Sequence, residues 1–489
     1  YISKNIVATQ KAYDIEIEET NINYTSTIKE EEVKDNLNII SNIALVNKDL
    51  VVQSVNDTQT ESGYYTFRNI SPAKYNINGK DQLVYVLPRE TENSGISYNN
   101  KTYEYTHGIG QIVASATSVT ENGNVQYLQK EIDGSDNIYE IKEPRIYYGL
   151  ETNSIVVTNT QNKTEYDYTD SEGTEHTYNY TGDSGIQVGF FDRLILALTN
   201  RDIKLAMSNN VTNESKILTN RNIIERAKTV LPNLLYNSNP YTVIDDGQIY
   251  WVLDAYTISD KYLYSTYTEI EYDDTKKDIN YIRNSVKVII NAYNGDMTFY
   301  ITDRNDPIIM AYLKLYPTIF ADYTGKEIPE GIKAQFKYPE FLYKVQSEML
   351  MVYHNVKEDV LYRNSDIWSF VTYGATSSSS KAKNAVLEPY YAIIKKQDSE
   401  DTELGLIQMY SQNGKSNIIS YLVGTCEGTE NKLKICKYPS DSNILGPVQL
   451  DNQIEQDETI SAELEALKVT GSKISKDMKI IPINNTILY

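Results

Sequence analysis

The sequence predicts an α+β fold built mainly of antiparallel sheets with interspersed helices and a helical N-terminal segment, and three observations carry that prediction. Turn-forming residues sit between strand-like runs: KYNI, Asn78-Gly79 and KDQLVYVLP; YTVI, Asp245-Asp246-Gly247 and QIYWVLDAYT; SVKVIINAY, Asn294-Gly295 and DMTFYIT. Asn-Gly and Asp-Gly supply the positive φ that tight hairpins demand, so each joins antiparallel neighbours. Helical periodicity appears in separate segments, and helices and strands do not alternate strictly, which distinguishes α+β from a parallel α/β design.

Residues 1–62 read as a polar, helical N-terminal segment, with Thr27 and Glu30 at capping-box spacing ahead of EEVKDNLNIISNIAL. A central α+β domain is expected over 63–371. Within it FFDRLILAL places apolar residues at 191, 194, 195 and 198, one face of a helix, and NRNIIERAKTVL does so at 223, 227, 230 and 231. Asp306-Pro307 opens PIIMAYLKLY as a capped helix, and Tyr338-Pro339 opens a longer one through about His354. The Ser-rich TYGATSSSSKAKNA, residues 372–385, has no periodicity and reads as a flexible linker. A C-terminal α+β region, 386–489, follows, compatible with packing as one unit with the central domain. Its strands are EPYYAIIKK, LGLIQMYS, NIISYLVGT, KLKICKYP and MKIIPIN, and its helix is QDETISAELEAL.

With 489 residues, 40% of them hydrophobic, the chain has enough apolar material for real cores. Its longest apolar runs, such as VKVII and LILAL, fall far short of the roughly 20 residues a membrane-spanning helix needs, so this chain itself is expected to span no membrane. A formal charge of -21 repels phosphate backbones and anionic headgroups, which argues against a nucleic-acid partner. The first residue is Tyr1, with no initiator Met and no signal-like apolar segment, so the chain reads as a piece of something longer. Forty-three tyrosines against eight phenylalanines fit either a carbohydrate-binding surface or the codon bias of an AT-rich genome.

Familiar catalytic signatures are absent: there is no H-E-x-x-H, P-loop, G-x-S-x-G or dinucleotide fingerprint. Asp254 stands out because it interrupts the nearly all-apolar QIYWVLDAYT, where a buried carboxylate needs a partner. Arg283 is the candidate cation, so Asp254, Asp260 and Arg283 form the candidate binding site. Asp254 and Asp260 are also the carboxylates a glycan-cleaving enzyme would use. His107 is expected to be structural, sharing a strand face with Tyr103 and Tyr105 while Gly108 and Gly110 admit a close neighbour; His354 is likewise a lone histidine. The acidic turns with Asp133 and Asp136, DYTDSEGTE, and Asp273 with Asp274 leave calcium as a candidate ion, although none has the EF-hand pattern. Cys426 and Cys436 flank EGTENKLKI, and a hairpin turning near Asn431 would set them opposite each other, as a single bridge or as two incidental thiols.

Several stretches, in order, resemble uncharacterised protein family 0182: YTHGIG, IYYG, YWVLDAYTISDKYLYS, INYIRNSVKVIINAYNG, DPIIMAYLKLYPTIF, YPEFLYKVQSEMLMVYH, LEPYYAIIK and GPVQLDNQIEQDETIS. The resemblance implies the outer domain of a large multi-pass bacterial membrane protein, standing at the extracytoplasmic face of the cell membrane. Its partners would be that protein's own transmembrane region and an envelope protein or glycan. No activity and no catalytic residues come with the family. The expected function is therefore noncatalytic binding, scaffolding or assembly, with a cell-envelope enzyme acting on glycan or polymer as the alternative.

Overall fold

The N-terminal segment supplies a helix, α1 (Ile2–Ala12), and then a strand, β1 (Ile17–Asn21), in the computed structural model, which describes residues 1–59, 64–92, 94–161, 164–187, 189–199, 202–373, 385–396, 399–471 and 477–489. β1 departs from the all-helical expectation because its pairing is tertiary: it lies parallel to the C-terminal strand Glu430–Lys437, with Ile17 opposite Leu433. The next helix, Glu30–Asp35, starts later than the Thr27/Glu30 pattern predicts. Lys29 is its cap residue, and the Lys29 N–H donates to Glu32 Oε2 at 2.8 Å. Glu30, Glu31 and Glu32 then occupy the first turn, where carboxylates suit the positive end of the helix dipole.

Four strands, β2 (Ser71–Ile77), β3 (Lys80–Pro88), β4 (Gln111–Val119) and β5 (Val125–Gln129), form an antiparallel sheet in that order. Asn78 and Gly79, with φ of 54° and 77°, make the two-residue turn between β2 and β3 as predicted. The Tyr103–His107 stretch is not a strand. Tyr98–Tyr103 is a helix whose cap, Ser97, accepts from the Asn100 N–H, and only Gly108–Ile109 pairs as a strand, with Arg145–Ile146. The expected alternation of Tyr103, Tyr105 and His107 on one sheet face therefore does not occur.

Two helices, α2 (Phe190–Thr199) and α3 (Ile203–Met207), pack side by side, and α4 (Ile223–Val230) starts at Asn222, whose side chain caps Ile224 and Glu225. The central sheet follows: β6 (Leu235–Tyr236), β7 (Tyr241–Asp245), β8 (Gln248–Ser259), β9 (Tyr281–Asn291) and β10 (Met297–Ile301), with β8 and β9 in the middle. Asp246 and Gly247, with φ of 45° and 76°, close the β7–β8 hairpin. The Asn294-Gly295 hairpin also forms, but pairing stops at Ile290 and Met297, so its loop is longer than two residues. α5 (Pro307–Leu315) is capped by Asp306, and α6 (Glu340–Tyr353) follows Tyr338-Pro339 as predicted.

The C-terminal sheet contains β11 (Trp368–Phe370), β12 (Tyr390–Lys395), β13 (Thr402–Gln412), β14 (Ile418–Glu427) and β15 (Glu430–Lys437), with β1 added at its edge. Most of the Ser-rich stretch, residues 374–384, lies outside the described residues. One buried cluster takes residues from all along the chain: Ile6 and Tyr13, Tyr256 and Tyr281, Leu342 and Tyr343, Leu406 and Leu422. The fold is α+β with mainly antiparallel sheets. Among the described residues no helix is long and apolar enough to cross a membrane.

Gly108 sits where two backbones nearly touch, as its sequence context predicts. A Cβ there would lie 2.1 Å from the Arg89 carbonyl oxygen and 2.9 Å from Glu90 Cα, neither of which yields easily. Gly108→Ala should destabilise the fold by about 2–3 kcal/mol in chemical denaturation. Unchanged stability would show that the Arg89–Gly108 approach is looser than described.

Candidate functional site

Asp254 lies near the middle of β8, and what faces it is fixed by strand register. Lys287 of β9 is its direct cross-strand partner, and Lys287 Nζ donates to Asp254 Oδ1 at 2.5 Å with the two side chains 0% and 2% exposed. The expected Asp254–Arg283 pair is thus corrected. Arg283 stands opposite Thr257, three residues farther along the ladder. Its guanidinium binds Asp303, Asp14 Oδ1 at 2.5 Å and the Lys11 carbonyl at 2.8 Å, tying the end of α1 to the central sheet.

Asp260 does not join Asp254. It follows β8, is half exposed and pairs with its neighbour Lys261 at 2.8 Å, which holds its carboxyl below the usual range. Six residues of extended chain place it about 20 Å from Asp254. The two carboxylates therefore do not flank a common space.

What surrounds Asp254 instead is a cleft of about 140 Å³ lined by Asp254, Tyr241, Lys337, Tyr391, Glu340 and Phe341, among others. Lys337, just before α6, is half-buried. Its ammonium donates to Ser71 Oγ and to the Pro72 carbonyl at 3.1 Å, and lies 4.4 Å and 5.2 Å from the ring centres of Tyr241 and Tyr391. Burial pushes its pKa down to about 7, against a smaller opposing pull from Glu340 and Asp254. The Tyr391 hydroxyl donates to the Tyr338 carbonyl at 2.6 Å. Among the described residues the Tyr241 hydroxyl is buried without a hydrogen-bond partner, as is that of Tyr256 next along the Asp254 face. Sequence reasoning missed Lys287, although a lone charge in VKVII obeys the same logic as Asp254 in QIYWVLDAYT and marks it as a candidate partner. Lys337 in QFKYPE carries no such signal, since its burial is created by Ser71, Tyr241 and Tyr391 from three distant segments.

His107 is buried as predicted, with Nδ1 3.1 Å from the Gly108 carbonyl oxygen and its ring 4.8 Å from that of Tyr147. Nε2 lies 3.8 Å from Asp167 Oδ1, too far for a hydrogen bond, because Arg145 grips that carboxylate through Nε and Nη2 at 3.0 and 2.7 Å. Burial pulls the His107 pKa down to about 4. Beside it, buried Glu165 accepts from Thr106, Tyr147 and the Tyr180 N–H, and Arg221 donates to the carbonyls of Thr106, Tyr147 and Ser154. His354 binds the Leu350 carbonyl at 2.9 Å and Asp366 at 3.2 Å, and its ring stacks 3.6 Å from Trp368.

The acidic turns use their carboxylates locally. Asp136 accepts from the Lys130 and Glu131 N–H groups, Asp133 from Ser135, and Asp273 pairs with Lys228. Among the described residues no group of three or more His, Cys, Asp or Glu side chains is placed to hold a metal ion. The two cysteines are free thiols, which corrects the expected facing pair. The hairpin turns at Gly428-Thr429, where Gly428 has a φ of 60°, and not at Asn431. Cys426 therefore faces Asn431, and Cys436 faces Tyr421.

The profile of Uncharacterised protein family (UPF0182) matches residues 1–467. This chain belongs to that family. It is 35% identical to the UPF0182 protein of Clostridium perfringens (strain ATCC 13124) over 514 aligned residues, covering all of this chain and 55% of that protein. It is 35% identical to the relative in Clostridium novyi (strain NT) and 36% identical to that in Caldicellulosiruptor saccharolyticus, with 54% and 53% of those proteins covered. The chain thus spans about half the length of the curated UPF0182 relatives it matches. No solved structure matches it.

Two predictions follow from the buried charges. Lys287→Met should cost about 3–5 kcal/mol by leaving Asp254 buried and unpaired, whereas Asp254→Leu combined with Lys287→Met should recover most of that loss in urea denaturation. A double variant as unstable as the single one would show that the pair does more than neutralise itself. His107 has a folded pKa near 4 against about 6.5 in the unfolded chain, so the unfolded state takes the proton first. Its contribution is complete above pH 6.5 and is lost as pH falls toward 4, by up to about 3 kcal/mol. A His107→Gln variant should show a correspondingly shallower decline over that window, and an identical slope would contradict the assignment.

Proposed function

We propose that this chain is a noncatalytic binding and assembly domain of a longer, multi-pass bacterial membrane protein, standing at the extracytoplasmic face, and that α2 and α3 seat it against its partner. The observation that carries this reading is the direction in which α2 points. The apolar positions that periodicity picks out, Phe191, Leu194, Ile195 and Leu198, are turned outward, with Phe191 77% and Ile195 61% exposed. Ile203 and Met207 of α3 are exposed beside them. The inward side is narrow: Ala197 and Leu205 pack with Tyr103, Val157 and Ile217, and Arg193 Nη1 donates to the Ser208 carbonyl at 2.9 Å.

A helix pair fixed on a small face and apolar on its open face has the character of a surface that is covered in the assembled protein. That the matched relatives are nearly twice as long supplies chain for it to meet. The enzymatic alternative has less support. Asp254 is already neutralised by Lys287, and Asp260 lies on a different part of the surface.

A photo-crosslinking residue at position 195 of the full-length protein in native membranes should form an adduct with another part of that protein or with an envelope partner. Leu194→Asp with Ile195→Asp should abolish co-purification of that partner while changing domain stability by no more than about 0.5 kcal/mol, as for surface substitutions. Absence of any adduct, with co-purification intact in the variant, would rule out α2 as the seat.

A further inference from the structure

The Lys337 cleft holds an ammonium that touches no carboxylate among the described residues. Asp254 is matched by Lys287, and Glu340 shares Lys344 with Glu388, each at 3.1 Å. Among the described residues Lys337 has no carboxylate within ion-pairing distance, in a chain whose net charge is -21. Two of its three N–H donors are used by Ser71 and Pro72, which leaves one. Tyr241 offers a second donor: among the described residues its hydroxyl has no hydrogen-bond partner, although the residue is only 5% exposed.

A buried hydroxyl without an acceptor and a half-buried ammonium without a counter-ion are each costly. Both belong to residues lining the same cleft. An aromatic cage for a cationic ligand is the competing reading, but Lys337 itself occupies the space over the Tyr241 and Tyr391 rings. We propose that this cleft binds a small monocarboxylate anion, held by the Lys337 ammonium and the Tyr241 hydroxyl as two donors to its two oxygens. The cleft volume of about 140 Å³ has room for an acid of acetate or lactate size. The ligand is either a free organic acid or the carboxylate end of a peptide. The proposal stands apart from the assembly surface on α2 and does not depend on it.

Binding is coupled to protonation. The groups facing Lys337 are Asp254 of β8, Lys287 of β9, Glu340 and Lys344 of α6, and the tyrosines of β7 and β12, with the Cys426 thiol of β14, pushed up to about 11 by burial, near Lys287 and Asp254. With a free ammonium pKa of about 7, the amine is mostly neutral at pH 8 and charged at pH 6. An anion needs the charged form, so its affinity is retained below pH 7 and falls as pH rises above it.

The test is saturation-transfer NMR and calorimetry on the full-length protein with acetate, lactate, methylammonium, and an acetylated tripeptide with a free or amidated C-terminus. Saturable acetate binding about tenfold weaker at pH 8 than at pH 6, weakened severalfold by Tyr241→Phe and lost in Lys337→Met, is the expected result. Tripeptide binding that requires the free carboxylate would identify the peptide source, and exclusion of both tripeptides would identify the free acid. Acetate binding unaltered by Tyr241→Phe and by pH overturns the proposal even if Lys337→Met fails to fold. So does methylammonium binding in place of acetate.

Discussion

The Asp254–Lys287 pair decides how the central sheet is assembled. Along β8, Trp251, Leu253 and Ala255 enter the cluster that also holds Val286, Val288 and Ile290 of β9, while Val252 and Ile289 face the opposite side with Tyr241 and Phe336. Asp254 and Lys287 belong to that second side. A slip of one residue between β8 and β9 would exchange the faces, carrying a carboxylate and an ammonium into a cluster with no polar partner for either. Apolar pairing alone discriminates weakly between such registers, because both strands are hydrophobic on both faces. The ion pair costs desolvation energy, and in return it makes the wrong register far more expensive than the right one.

The same economy of pairing recurs wherever charge is buried. Arg283 joins α1 to the sheet, Arg145 holds Asp167, and Arg221 collects three backbone carbonyls that no strand ladder satisfies. Tyrosine does the neutral part of this work. Tyr13, Tyr343, Tyr391 and Tyr410 are buried and each donates its hydroxyl to a backbone carbonyl of another segment, among them Thr266, Leu422, Tyr338 and Ser347. Much of the tyrosine excess is therefore interior material with a polar tie at its tip, a use that neither a carbohydrate-binding surface nor codon bias describes.

The legible parts of the fold are those that local chemistry determines. Asn78-Gly79 and Asp246-Gly247 make their turns because positive φ is cheap there, and Asp306 caps α5 because its carboxylate reaches the Ile308 N–H. Partners across long separations were not legible. β8 and β9 are joined through the Thr268–Tyr272 and Thr275–Ile279 ribbon, so no turn length sets their register, and choosing between Arg283 and Lys287 required it. The cysteines failed for a smaller reason: Gly428 turns the hairpin three residues before Asn431, which leaves them on unrelated rungs. Periodicity correctly found α2 but says only that one face is apolar. Which way that face points depends on what the rest of the chain leaves room for, and here Ala197, not Leu194 or Ile195, faces inward.

Lys337 marks the place where these arguments meet. Its ammonium is held by Ser71 of β2 and flanked by Tyr241 of β7 and Tyr391 of β12, so one side chain touches all three large sheets. Arg283, another cation that joins distant segments, has Asp14 and Asp303, whereas Arg221 is held by backbone carbonyls. A junction whose ammonium is held by neutral groups thus leaves a place for a negative charge supplied from outside. An anion seated there would act on the contact between three sheets at once, which ties occupancy of a small cleft to the packing of the whole domain.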